Sequence, residues 1–141
     1  MDKITLTELA NKLYMYTDEQ RWQDLMDEVF TTNIWLDVSS LGAGEPAMIK
    51  AADLCNMWKE GFKGIDQVQH QAGHYIIAIN GNEATIFGYA VAYHYKASAV
   101  NGKTRTFVGS YDLKAVNTEK GWRLNQFKYN LKFIDGNATL E

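Results

Sequence analysis

The chain has 141 residues, 46% hydrophobic and 22% charged, with a net charge of −3 and a single cysteine. That length and balance suit one domain, residues 1–141, with a core of its own. The absence of a basic cluster argues against a nucleic-acid surface; Cys55 has no partner for an internal disulfide, no Cys/His spacing resembles a zinc site, and no apolar run approaches the ~18 residues of a membrane span.

Met1-Asp2-Lys3 leads straight into a helical pattern rather than a signal peptide, so a cytoplasmic location is expected. Thr5-Leu6-Thr7-Glu8 has the form of a capping box, and Leu6, Leu9, Ala10, Leu13 and Tyr14 recur at helical spacing, which predicts a first helix over 5–17. After Asp18-Glu19-Gln20-Arg21 the stripe restarts with Trp22, Leu25, Met26, Val29 and Phe30, a second amphipathic helix. Residues 34–38 read as a short strand and 39–45 as a glycine-containing loop. Pro46 suits the first turn of a third helix carried by Met48, Ile49, Ala52 and Cys55 and closed by Gly61 and Gly64.

Beyond Ile65 the period changes to two. Strands are predicted over 67–79, 83–98, 104–117 and 121–134, separated by Asn80-Gly81-Asn82, Asn101-Gly102-Lys103 and 117–121. Helices first and a meander of long antiparallel strands afterwards describe an α+β chain: a curved sheet with helices on one face, bent into a cone that can hold a small molecule. The sheet's other face needs cover, so a homodimer or homotrimer is expected.

All three histidines lie on the first hairpin of that meander. If a three-residue loop pairs Ile79 with Glu83, position 70 opposes 92 and His94 shares the face of His70; a two-residue loop reverses this unless a bulge intervenes. Each residue has a functional and a plain reading. His70 is a general base or a polar strand residue. His94, between Tyr93 and Tyr95, is an acid–base partner or one of a row of aromatic strand positions. His74 shares the parity of His70 and either lines the deep pocket or sits in the core or rim. Asp18 orients a histidine or caps the second helix. Trp35, Met57, Trp58, Phe62, Phe87 and Tyr111 are pocket walls or ordinary core, and Cys55 is a small buried hydrophobe.

Four motifs in order give the chain a resemblance. They are Tyr16-Thr17-Asp18 followed by Trp22 and Leu25; Phe30-Thr31-Thr32-Asn33-Ile34-Trp35-Leu36-Asp37; Gln69-His70 ahead of the Asn80-Gly81-Asn82 turn; and Gly109-Ser110-Tyr111 with Gly121-Trp122-Arg123-Leu124 and Asp135-Gly136-Asn137. Together they resemble the SnoaL-like group of the nuclear-transport-factor-2-like superfamily. The resemblance implies a cone-shaped α+β barrel, a strongly curved antiparallel sheet packed by three N-terminal helices around a pocket. Its nearest functional likeness is to scytalone dehydratase and the bile-acid dehydratases, whose catalytic Asp and His residues fall at Asp18, His70 and His94. Thr17 and Val38 stand where scytalone dehydratase has tyrosines that bind the substrate carbonyl through water.

The function so implied is a dehydratase or isomerase acting on an apolar carbonyl compound such as a polyketide, steroid or terpenoid, with no metal or organic cofactor needed. His70, oriented by Asp18, would take a proton α to the carbonyl; His94 would assist the leaving hydroxyl or hold the enolate oxygen. Tyr14, Trp35, Trp58, Phe62, His74, Tyr89 and Tyr111 are the expected substrate contacts. The alternative is a non-catalytic ligand-binding or oligomer-forming module on the same cone. Epoxide hydrolysis needs an arginine between two carboxylates, and none of Arg21, Arg105 and Arg123 has such a pair beside it in sequence.

Overall fold

Along the strand at Glu83–Tyr95 the even positions Ala84, Ile86, Ala90, Ala92 and His94 are buried while Glu83, Thr85, Tyr89, Tyr93 and Tyr95 are exposed, the alternation of a sheet with one covered face. The computed structural model describes residues 1–141. Its elements are helix α1 (Asp2–Asp18), a short helix α2 (Trp22–Asp24) running into a π-helical turn (Leu25–Val29), strand β1 (Phe30–Asp37), a 3-10 turn (Ser39–Leu41), β2 (Ala47–Lys50), helix α3 (Ala51–Gly61), then β3 (Gln67–Asn80), β4 (Glu83–Tyr95), β5 (Thr104–Thr118) and β6 (Gly121–Gly136).

Six strands form one sheet in the order β2-β1-β6-β5-β4-β3. The expected antiparallel sheet is in fact mixed, because β1 lies parallel to β6 while every other pair is antiparallel. Nor is it a closed barrel, since β2 and β3 remain as free edges. The third helix does not begin at Pro46. Residues 47–50 extend along β1, and α3 starts only at Ala51. The capping box does not form either. Helix α1 begins at Asp2, so Thr5 and Thr7 lie inside it and their hydroxyls donate backwards to the carbonyls of Met1 and Lys3, at 3.3 and 2.7 Å.

Helix α1 lays Leu6, Leu9, Ala10, Leu13 and Tyr14 on the concave face, where they join Leu25, Val29, Ile34, Leu54, Ile86, Leu113 and Leu124 in one core. Full burial of a leucine of this kind contributes about 1.5–3 kcal/mol, and Leu6, Leu25, Leu54 and Leu124 are completely enclosed. The inner positions of β4 towards its end, Gly88, Ala90 and Ala92, are small. A methyl group on Gly88 would stand 2.6 Å from the Tyr75 ring. The Tyr75 ring fills the place at Gly88, while Ala92 leaves space beneath the helices.

The β3–β4 hairpin turns through two residues, with Asn80 opposite Glu83 and Ile79 opposite Ala84. The three-residue loop is therefore not what sets the register. Between Gly73 and Ile76 the third strand carries one residue more than its partner, and beyond this bulge His70 faces Ala92. His74 sits in the bulge with φ +57. Its left-handed backbone absorbs the extra residue and resets the alternation.

A candidate active site on the concave face

Strand β3 is a sheet edge, so its outward backbone N–H groups need partners other than a strand. The end of α1 supplies one. Asp18 is the last residue of that helix, and its carboxylate takes two bonds from one residue. Oδ2 accepts from the His70 backbone N at 2.8 Å, and Oδ1 accepts from His70 Nδ1 at 2.6 Å. Both side chains are only 10% exposed. An ionised carboxylate can only accept, so Nδ1 carries the hydrogen and Nε2 keeps its lone pair. Asp18 does not cap the second helix, whose N-cap is Arg21. One turn earlier on α1, Tyr14 stacks on the imidazole with ring centroids 5.5 Å apart. The helix thus holds His70 from its edge and from its face.

On β4, His94 is buried and points to the same side. Because Ala92 is the residue opposite His70, His94 is its diagonal neighbour, roughly 7–8 Å away by sheet geometry. Directly across from His94 on β5 is Arg105. Its Nε and Nη2 donate to His94 Nδ1 at 3.2 and 2.7 Å, and its Nη1 donates to the Ala138 carbonyl at 3.2 Å. The His94 ring is further enclosed by Phe62 and Phe107, at 5.9 and 5.2 Å. Burial, then the Arg105 charge and His70, push the His94 pKa down to about 4, against a smaller opposing pull from Asp18. It is neutral at neutral pH.

Both histidines line a cavity of about 170 Å³ whose other walls are mostly apolar. Of the expected contacts, Tyr14, Trp58, Phe62 and Tyr111 line it. Tyr111 packs between Tyr14 and Tyr129, with centroids 5.3 and 4.8 Å away. Burial drives the Tyr14 and Tyr111 phenols above their usual pKa and Tyr129 up to about 12, so all three stay protonated. Buried Tyr14 and Tyr129 hydroxyls have no hydrogen-bond partner.

Three expected contacts lie elsewhere. His74 is turned out by the bulge it occupies and packs on Tyr89, 5.7 Å away, on the outer face. Tyr89 is at an odd, outward position of β4, 46% exposed and beneath the Lys132 ammonium at 4.2 Å. Trp35 alternates with the buried Ile34 and faces out beside Met48. Met57 and Phe87 are likewise absent from the cavity wall, Phe87 packing on Tyr89 instead. Thr17 and Val38 do line the cavity, without a phenol to offer.

Arg105, Phe107, Phe127 and Tyr129 were not legible as site residues. Arg105 follows His94 by eleven positions across a loop whose length does not reveal its register. Had Tyr95 been paired with Thr104, as it is, Arg105 would have fallen opposite His94.

Residues 2–128 match the model of a family described as a SnoaL-like domain. The Kfla4162 protein of Kribbella flavida has the same fold, with a TM-score of 0.92 and 26% identity over 99% of this chain and 95% of that one. Two Novosphingobium aromaticivorans proteins share it at identities that speak for the fold alone. One, described as a candidate aromatic ring hydroxylase, is 17% identical over 99% of this chain and 95% of its own, TM-score 0.81. The other, described as a candidate scytalone dehydratase, is 10% identical over 96% and 87%, TM-score 0.82. Among curated proteins none matches the chain.

Proposed function

The chain belongs to the SnoaL-like domain family, and from that premise we propose that it is an acid–base dehydratase or isomerase of a small carbonyl compound. The observation that carries the reading is the Asp18–His70 contact of 2.6 Å at the wall of an apolar cavity that His94 shares. The fold that presents this contact is shared with a neighbour described as a candidate scytalone dehydratase.

His70 Nε2 removes a proton from the carbon next to the carbonyl, and the C–H electron pair moves onto the carbonyl oxygen. Asp18 balances the imidazolium so formed. The neutral His94 ring is too weak an acid to hand over its one N–H proton, so of its two expected roles it takes the second, donating a hydrogen bond from Nε2–H to the enolate oxygen. In dehydration the enolate collapses, the bond to the β-hydroxyl breaks, and that oxygen takes the proton from His70 and leaves as water. In isomerisation His70 returns the proton to a different carbon.

Size narrows the substrate. An apolar cavity of ~150 Å³ holds benzene, so the 170 Å³ here suits one six-membered ring with a small substituent. A monocyclic polyketide or terpenoid fits better than a steroid, most of whose length would remain outside. The test is turnover of 3-hydroxycyclohexanone to cyclohexenone, followed by the enone absorbance. Wild-type protein is expected to accelerate it, with Asp18→Asn and His70→Ala slower by roughly a hundredfold or more; equal rates in all three would overturn the mechanism.

The convex face supports self-association. Val91, Val108 and Phe133 lie side by side across β4, β5 and β6, with Tyr89 and Tyr93 flanking them, and Phe133 is 54% exposed. A contiguous apolar patch on a sheet is cover for a second copy. Light scattering should return a multiple of 16.0 kDa, and Tyr93→Glu should lower it to the monomer; a wild-type monomer would remove this reading.

A further inference from the structure

The contact between Arg105 and His94 has no place in the acid–base dyad, yet it decides what His94 can do. A guanidinium donates hydrogen bonds and accepts none. Two of its N–H groups point at His94 Nδ1, at 2.7 and 3.2 Å, so Nδ1 must be the accepting nitrogen. The one hydrogen of the neutral ring is then on Nε2. We propose that Arg105 is a positioning residue that locks His94 in the Nε2–H tautomer and so makes it a standing hydrogen-bond donor to the substrate oxygen rather than a proton donor. The inference rests on the acid–base reading above for what His94 touches, but not for which nitrogen carries hydrogen.

Most of the surroundings favour this state, against a smaller opposing pull from Asp18. From β5 comes the Arg105 cation, from β3 the His70 ring and from the end of α1 the Asp18 carboxylate, whose charge is engaged by His70. The Phe62 and Phe107 rings pack against the imidazole, with centroids 5.9 and 5.2 Å away. The guanidinium is itself fixed, by the Ala138 carbonyl at 3.2 Å and by the Phe107 face at 5.1 Å. A cation behind the ring also polarises the Nε2–H bond, so the hydrogen bond strengthens as the oxygen it meets becomes an enolate. The same arrangement separates the roles of the two histidines. A carboxylate behind His70 makes a base of its Nε2, and a guanidinium behind His94 makes a donor of its Nε2.

The experiment is nitrogen NMR of histidine-labelled protein, in wild type, Arg105→Met and Arg105→Lys, together with kcat and KM on 3-hydroxycyclohexanone. In wild type, His94 is expected as the Nε2–H tautomer. Arg105→Met removes the donors at similar length; it should give mixed tautomers, raise the His94 pKa from about 4, and lower kcat roughly tenfold with little change in KM. Arg105→Lys, which can still only donate, should keep the tautomer and recover part of kcat. An Nδ1–H tautomer in wild type, or an unchanged Nε2–H tautomer in folded Arg105→Met, overturns the proposal, and the wild-type spectrum stands even if the methionine variant does not fold. A shifted tautomer with unchanged kcat overturns instead the oxygen-holding role given to His94.

Discussion

His70 and His94 sit on neighbouring strands but not opposite one another: Ala92 faces His70, and His94 lies one step further along the same side. The offset places a methyl group between two imidazoles. It leaves a gap in which a substrate can meet both rings, and it makes Ala92 the floor of the cavity.

Filling that floor separates binding from folding. Ala92→Leu adds three carbons to a space of about 170 Å³. Its expected effect is a steep rise in KM for 3-hydroxycyclohexanone with a melting temperature within a few degrees of wild type, since the added atoms enter an existing void and not a packed core. Titration by isothermal calorimetry and a thermal scan check the two halves.

Asp18→Asn keeps the shape of the clasp on His70 and removes its charge. The amide can still accept one of the two bonds at 2.6 and 2.8 Å, but the negative charge that stabilises the imidazolium is gone. The expected loss is mostly in kcat, with a stability cost of about 1–3 kcal/mol from the weakened buried bonds. Urea unfolding measures the second figure independently of any substrate.

Burial of neutral His94 makes stability depend on pH in a definite direction. Its folded pKa of about 4 lies below the unfolded value of 6.5, so between these the unfolded chain binds the extra proton. The contribution is complete above about pH 6.5 and is lost as the pH falls towards 4, by about 3 kcal/mol in all. His94→Gln should flatten that part of the urea midpoint against pH; a parallel slope in the variant would show that other groups govern it.

His74 occupies a backbone conformation that costs a non-glycine residue about 1 kcal/mol, and its side chain only touches Tyr89 on the surface. His74→Gly should therefore raise stability by several tenths of a kcal/mol up to about 1, with kcat unchanged because the residue is outside the cavity. Loss of activity in this variant would restore the pocket role that its parity with His70 suggested.

The parts legible in the sequence were those written by periodicity. The apolar stripe from Leu6 to Tyr14 and the four long strands past Ile65 have lengths and breaks that admit little else, and the elements seen lie within a few residues of those expected. The parts that were not legible depend on relations between distant segments. Strand β2 is only four residues long and follows a proline, so its local pattern fits a helix start equally well. Alternation within Phe30–Asp37 carries no sign of whether the strand runs with or against β6. Arg105 gains its meaning only from the partner across the sheet. Asp18 and His70 were visible as a pair through the family resemblance, whereas His74 misled because alternation was carried through a bulge that only Gly73 signals.

That extra residue in β3 has a consequence for how the chain can change. Between the turn at Gly81 and the bond to Asp18, side chains can be exchanged while the number of residues cannot, since losing or gaining one would rotate Gln69 inward and His70 towards solvent. On the other side of His94, the residues beyond the last pair of Tyr95 and Thr104 are tied by backbone bonds: Lys96 N–H donates to the Lys103 carbonyl at 2.8 Å, and the Val100 and Asn101 N–H groups donate to the Glu141 main-chain oxygen at 3.1 and 2.9 Å. The length of β3 thus decides which way His70 faces, whereas the loop after β4 is tied by bonds that do not decide which way His94 and Arg105 face. One-residue insertions at 71–80 should abolish turnover of 3-hydroxycyclohexanone, whereas insertions at 97–102 should cost mainly stability, a contrast that rates and melting temperatures across an insertion scan would expose.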